Sequence, residues 1–154
     1  MEKKTKREFF FCPEQEKERK KFLRKRLINM EIGAKGKSET VVTEKVTAKT
    51  LGSGTLDVLA TPIMVAIMEN AATRALDLPE GQTSVGTYLE IKHLAATPVG
   101  MKVWAVAEIT GIEGRKLSFK IEAYDEKEKI GEGEHERFII NAEKFLEKAY
   151  AKLS

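Results

Sequence analysis

The chain has 154 residues with 42% apolar and 33% charged side chains, the mix of one ordinary globular domain large enough for a real core. Its longest strongly apolar stretch, 60–68, is far short of the roughly 20 residues that a membrane span needs, and its single cysteine excludes an internal disulfide framework and multi-cysteine metal sites. The net charge of +3 divides unevenly, because residues 1–29 hold 11 Lys or Arg against 5 Glu, while the remainder holds 16 against 19.

That division separates a basic N-terminal extension, 1–29, from a mildly acidic body, 30–154. The body offers no basic patch to argue for nucleic-acid binding. The extension has no 7–15-residue apolar run of a secretory signal. Residues 14–28 are expected to form a charged helix with Phe22, Leu23 and Leu27 on one side. A solvated tail is the preferred reading, an arm for an anionic surface or RNA the alternative. Met30 opens what reads as the ordinary beginning of a small domain. A lone cysteine fits a reducing cytoplasm.

A Val- and Thr-rich stretch over 37–49 predicts a first strand, broken by Gly52-Ser53-Gly54. Thr61-Pro62 opens the best helix in the chain, with Thr61 as N-cap and Pro62 at the first helical position; the helix runs to about Leu76. Four strands follow at 83–94, 100–112, 116–125 and 129–140, with turns at 98–100, 113–115 and 125–127. The short last two turns predict antiparallel pairing. Asn141 is expected to cap a final helix carrying Phe145, Leu146, Ala149 and Leu153 on one side. Strand, helix, four-strand meander and terminal helix make an α+β pattern. A helix this apolar must be covered, and a curved antiparallel sheet wrapped round it would do so.

Candidate chemistry lies on that helix and the strand after it. At about 100° per residue, the apolar residues between Ile63 and Leu76 cover nearly the whole circumference, and Glu69 sits among them. A carboxylate there is costly to bury without a partner. A structural pair with Arg74 is awkward, since Arg74 lies about 140° round the helix. In the strand 83–94, Val85, Thr87, Leu89, Ile91 and His93 are expected to share the inward face. A lone inward histidine is more often a hydrogen-bonded core residue, but Glu69 also needs a partner, and a carboxylate that orients an imidazole supports a general base.

Thr61 reads as a cap, or as a nucleophile or hydroxyl at a helix N-terminus whose free N–H groups stabilise an oxyanion. Gly86 marks a bulge or a close substrate approach. On the last strand Gly131, Gly133, His135, Arg137 and Ile139 form an unusually open face, with Arg137 either exposed or binding an anion. The sequence Gly36-Lys37-Ser38 lacks the earlier glycine of a phosphate loop, no GxSxG elbow occurs, and two histidines with one cysteine make no convincing zinc site.

The segments VLATPIMVAIMENAATRAL, SVGTYLEIKHLAATPVGMKVWAVAEITGIEGRKLSF and IGEGEHERFIINAEKF together resemble the fluoroacetyl-CoA thioesterase-like hotdog proteins. The most specific pieces, in order, are AT-x6-ME, H-x-AATP-x-G, EGR-x-LSF and G-x-G-x-HER. The resemblance, from about Met30 to the C-terminus, implies a hotdog fold, a catalytic set of Thr61, Glu69 and His93, and an acyl pocket lined by Gly86 and Arg137. It also implies hydrolysis of a short-chain acyl-CoA without cofactor or metal, in a homodimer with the active site at the subunit interface. The fluoroacetate-specific enzyme has a longer, Phe-containing segment before the helix. Here LGSGTLDVLA stands there without an aromatic, which points to a different small acyl group. The alternative is a non-catalytic module that holds an acyl-CoA or small acid in the same pocket.

Overall fold

The computed structural model describes residues 13–18 and 30–154. Residues 13–18 are helical and exposed; the remainder of the helix expected over 14–28, with Phe22, Leu23 and Leu27, lies outside the described residues. From Met30 onward the elements are β1 (Lys35–Val41), a 3-10 turn (Glu44–Val46), α1 (Ala48–Leu51), α2 (Thr61–Arg74), β2 (Gln82–His93), β3 (Lys102–Glu113), β4 (Lys116–Asp125), β5 (Lys129–Asn141) and α3 (Ala142–Tyr150). A short 3-10 turn, Ala151–Leu153, ends the chain.

The first strand is shorter than the Val/Thr pattern predicts. It ends at Val41, and the rest of that stretch turns helical because the Thr47 hydroxyl accepts from the Thr50 backbone N–H and caps α1. Gly52, at φ 74°, then ends α1 in the left-handed conformation that glycine adopts without steric cost. The other four strands match their predicted spans within two residues at each end. Asn141 caps α3 as expected, its side chain accepting from the Lys144 N–H.

All strands are antiparallel in one five-stranded sheet of order β1-β3-β4-β5-β2. Strict alternation carries the core. Val103, Ala105, Ala107 and Ile109 of β3 and Leu117, Phe119 and Ile121 of β4 all face inward and are buried. Against them α2 lays Met64, Ile67, Met68, Ala71 and Ala72. Each fully buried methionine contributes on the order of 1.5–3 kcal/mol. The alanines at 71, 105 and 107 let helix and sheet approach closely. A Cβ on Gly36 of β1 would overlap the Ala71 carbonyl oxygen, so glycine sets that distance.

The sheet curls round α2 in the hotdog arrangement, but it covers only one side of the helix. The helix packs chiefly on β1 and β3 and far less on the other strands. Pro62, Ala66, Asn70 and Thr73 are exposed, and Val65 and Glu69 are half-buried. The expectation of a helix buried on most sides therefore fails in the single chain, since five strands reach round only about half of it. The described residues contain no helix long and apolar enough to cross a membrane.

Candidate active site

Helix α2 begins at Thr61, one residue earlier than the capping argument requires. The N-cap is Ala60, and Thr61 is the first helical residue with Pro62 second. Thr61 therefore does not spend its hydroxyl on the helix. Its Oγ1 lies 2.7 Å from Nδ1 of His93, the last residue of β2. Burial lowers the His93 pKa from the ordinary imidazole value, and the Ala95 backbone pulls weakly the other way. The ring is thus held neutral at pH 7, with a lone pair available to take a proton. Its Nε2 is shielded from solvent and makes no hydrogen bond. A cleft of about 390 Å³ opens beside the pair, lined with small residues such as Ala48, Ser53, Ala95 and Ala96.

The inward face of β2 is not the one simple alternation predicts. The pairing with β5 slips between Gly86 and Tyr88, leaving Thr87 as an extra residue in a bulge. Before the bulge Ser84 faces inward, and Gly86 shares its side; after it Leu89 and Ile91 face inward, with His93 following in the same alternation. Val85 and Thr87 therefore do not share the face of His93. The bulge turns Gly86 toward α2. A Cβ there would lie 2.8 Å from Oε1 of Glu69, 3.2 Å from Cε1 of His135 and 3.7 Å from Nη1 of Arg137. Gly86 thus borders the bulge and packs closely on Glu69, which meets the structural reading of this glycine.

These four residues make a second group. The face Gly131, Gly133, His135, Arg137 is not open as expected. Met64 fills the space over Gly131, the Glu90 carbonyl of β2 lies against Gly133, and His135 and Arg137 are buried. Arg137 donates from Nε to Ser84 Oγ and from Nη2 to the Ser84 carbonyl, both at 2.8 Å, and its Nη1 lies 3.2 Å from His135 Nε2. Burial lowers the Arg137 pKa, and the Glu69 carboxylate opposes that shift. Burial likewise lowers the His135 pKa. Arg74 takes the Lys37 carbonyl instead of Glu69.

The structure thus brings Thr61 to His93 and brings Glu69 to Gly86, His135 and Arg137, as two separate groups. Among the described residues no hydrogen bond or ion pair joins Glu69 to His93. Eight helical residues separate Thr61 from Glu69, about 12 Å along the axis. The helix N-terminus also offers less than expected. Pro62 has no N–H, and Ile63 and Met64 both donate to the Ala60 carbonyl. Sequence reasoning missed Ser84 and the burial of His135. Alternation before Gly86 could have signalled Ser84, and Gly86 itself was the local signal of the bulge.

A family described as fluoroacetyl-CoA-specific thioesterase matches residues 42–143. The fluoroacetyl-CoA thioesterase of Streptantibioticus cattleyicolor is 44% identical over 98 residues, 62% of this chain and 70% of that one. Among solved structures, the fluoroacetyl-CoA thioesterase FlK superposes with a TM-score of 0.75 at 37% identity, covering 79% of this chain and 96% of that one. A threonine-to-serine mutant of FlK in complex with acetyl-CoA gives 0.76 at 36% identity over 80% and 99%. A thioesterase superfamily member from Thermus thermophilus gives 0.73 at 34% identity over 80% and 93%. The chain belongs to the FlK family of hotdog-fold thioesterases.

Proposed function

We propose that residues 30–154 form a thioesterase domain that hydrolyses a short-chain acyl-CoA to the free acid and CoA. The observation that carries the mechanism is the 2.7 Å contact between Thr61 Oγ1 and His93 Nδ1 in a chain whose relatives are thioesterases. His93, neutral through burial, takes the Thr61 proton as the hydroxyl attacks the thioester carbonyl. The imidazolium gives that proton to the departing CoA thiolate, and the ring, neutral again, activates a water that releases the acid and restores the Thr61 hydroxyl. With the Ile63 and Met64 N–H groups engaged and none at Pro62, the backbone at Gly86 is the better source of oxyanion donors. Gly86 and Arg137 line the acyl end of the pocket, and no cofactor takes part.

The active protein in this reading is a homodimer, its site shared between subunits. Two features support it. Strand β2 is an unpaired edge twelve residues long. The α2 face bearing Val65, Ala66 and Glu69 is uncovered. Antiparallel pairing of two β2 strands about a twofold near Leu89 and Glu90 would set Gly86 and Glu69 of one protomer against Thr61 and His93 of the other. The segment before α2, without an aromatic, leaves the cleft by Thr61 lined with small and aliphatic side chains and suits an acyl group other than fluoroacetyl.

Thiol release from a panel of acyl-CoAs tests the reaction. Turnover is expected with short acyl chains and is expected to fall at least a hundredfold in Thr61→Ala, Glu69→Gln and His93→Ala. Thermal stabilisation by acyl-CoA without hydrolysis would identify a binding module instead. Mixing unfolded Thr61→Ala and Glu69→Gln chains and refolding them tests the shared site. Heterodimers recover one working site of two if Glu69 acts across the interface, and none if it acts within its own chain.

A further inference from the structure

His135 has no part in the scheme above, yet it is 1% exposed and sits between the two features that shape the acyl end of the pocket. Its Nδ1 is 2.7 Å from the carbonyl oxygen of Tyr88, the first residue past the β2 bulge. A carbonyl only accepts, so Nδ1 carries the proton. Its Nε2 faces the Arg137 Nη1 donor at 3.2 Å, so Nε2 is the acceptor. These two contacts require a neutral ring with its proton on Nδ1, since a second proton would set donor against donor and cation against cation. We propose that His135 is a positioning residue: it ties the β2 bulge to β5 and aims the Arg137 guanidinium at the chamber formed by Gly86 and Glu69.

The rest of the geometry says why such a residue is needed. Ser84 holds Nε and Nη2 of Arg137 from one side. The guanidinium is planar and rigid, so those two bonds leave it only a tilt of its plane, and His135, accepting at Nη1, limits that tilt. With both ends held, the guanidinium plane is fixed by groups on two strands. The same imidazole holds the Tyr88 carbonyl, which sets the bulge and so the approach of Gly86 to Glu69 Oε1. The Cε1 edge of the ring, 3.2 Å from where a Gly86 Cβ would stand, also forms a wall of the chamber. A histidine kept only to fill the core beside Phe119, 6.0 Å away between ring centroids, would need neither polar contact.

This inference rests on the thioesterase reading for its kinetic arm but not for its spectroscopic one. The chain has two histidines, so His93→Gln leaves a single imidazole. Its ¹⁵N spectrum at pH 7 is expected to show a pyrrole-like Nδ1 and a pyridine-like Nε2; the reverse tautomer or a doubly protonated ring overturns the proposal. In the otherwise native chain, His135→Phe keeps the ring volume and removes both polar contacts. It is expected to lower kcat at least tenfold with KM within threefold. His135→Gln, which restores an acceptor for Arg137, is expected to recover kcat to within fivefold of the native value. Native kcat in a folded His135→Phe protein, or a loss confined to KM, also overturns the proposal. A native protein that hydrolyses no acyl-CoA defeats the thioesterase reading alone, because the spectrum still decides the tautomer.

Discussion

At the scale of single residues, the candidate site depends on side chains released from ordinary structural duties. Thr61 is freed because Ala60 takes the N-cap position, and its hydroxyl turns to His93. Arg137 is not freed: two of its nitrogens are fixed to Ser84, so it orients a site more than it reaches for an anion. Gly86 is where glycine's lack of a side chain matters directly. Gly86→Ala places a methyl 2.8 Å from the Glu69 carboxylate, which is the movable end of a flexible chain. The backbone there needs no positive φ. Because the methyl would also press on the buried His135 ring at 3.2 Å, the substitution is expected to cost about 1 kcal/mol of stability and to lower kcat tenfold or more by displacing Glu69. Melting and steady-state kinetics on one preparation check both halves; unchanged kcat would remove Gly86 and Glu69 from the reacting centre.

At the scale of elements, alternation and capping account for nearly all strand and helix positions. Strand β3 reads Val103, Ala105, Ala107, Ile109 inward without exception, and β4 begins and ends where turn residues predict. The failures are physical. Val and Thr in 42–50 favour a strand, but the Thr47 cap and the buried bridge between Thr47 and Leu59 hold a short helix there instead. The β2 bulge flips the face of every residue before it, which alternation does not announce although Gly86 marks the place. Contact between β1 and α2 depends on Gly36, whose Cβ would overlap the Ala71 carbonyl and lie 2.8 Å from the Arg74 carbonyl carbon. Neither backbone can yield cheaply. Gly36→Ala is expected to destabilise by about 1–3 kcal/mol or more through overpacking. Denaturant unfolding measures this, and a native midpoint would show that β1 can shift freely.

At the scale of the whole molecule, ionisation ties stability to pH in one direction. His93 and His135 have folded pKa values below the roughly 6.5 of the unfolded chain. The unfolded state therefore binds more protons once pH falls below that value, and stability begins to drop there. Carboxylates add to the loss further down. Lys129 holds Glu122 at a pKa of about 2, and the Lys127 and Glu128 backbone N–H groups and Thr97 lower Asp125 despite its burial. Their contribution is complete above about pH 4.5 and disappears as they protonate. Melting temperature is expected to be highest above pH 6.5 and to fall in two stages on acidification, first near 6 and then below 4.5. A rise in melting temperature between pH 7 and 5 would contradict the assignment of both imidazoles as buried neutral groups.

The sequence by itself determined the order of elements, the curved sheet round an apolar helix, the family, and the unusual position of Glu69. All of these follow from periodicity, turn chemistry and short motifs, which are local. Tertiary structure alone decided that Thr61 meets His93, that Glu69 meets Gly86 and Arg137 instead, and that His135 is buried between Tyr88 and Arg137. These contacts join residues 32 or more positions apart, except His135 with Arg137 and Glu69 with Gly86. Most also cross a bulge whose slip of one residue decides which side chains face the cleft. Periodicity carries no information about that slip, because it is set by how β2 pairs with β5 and not by β2 alone.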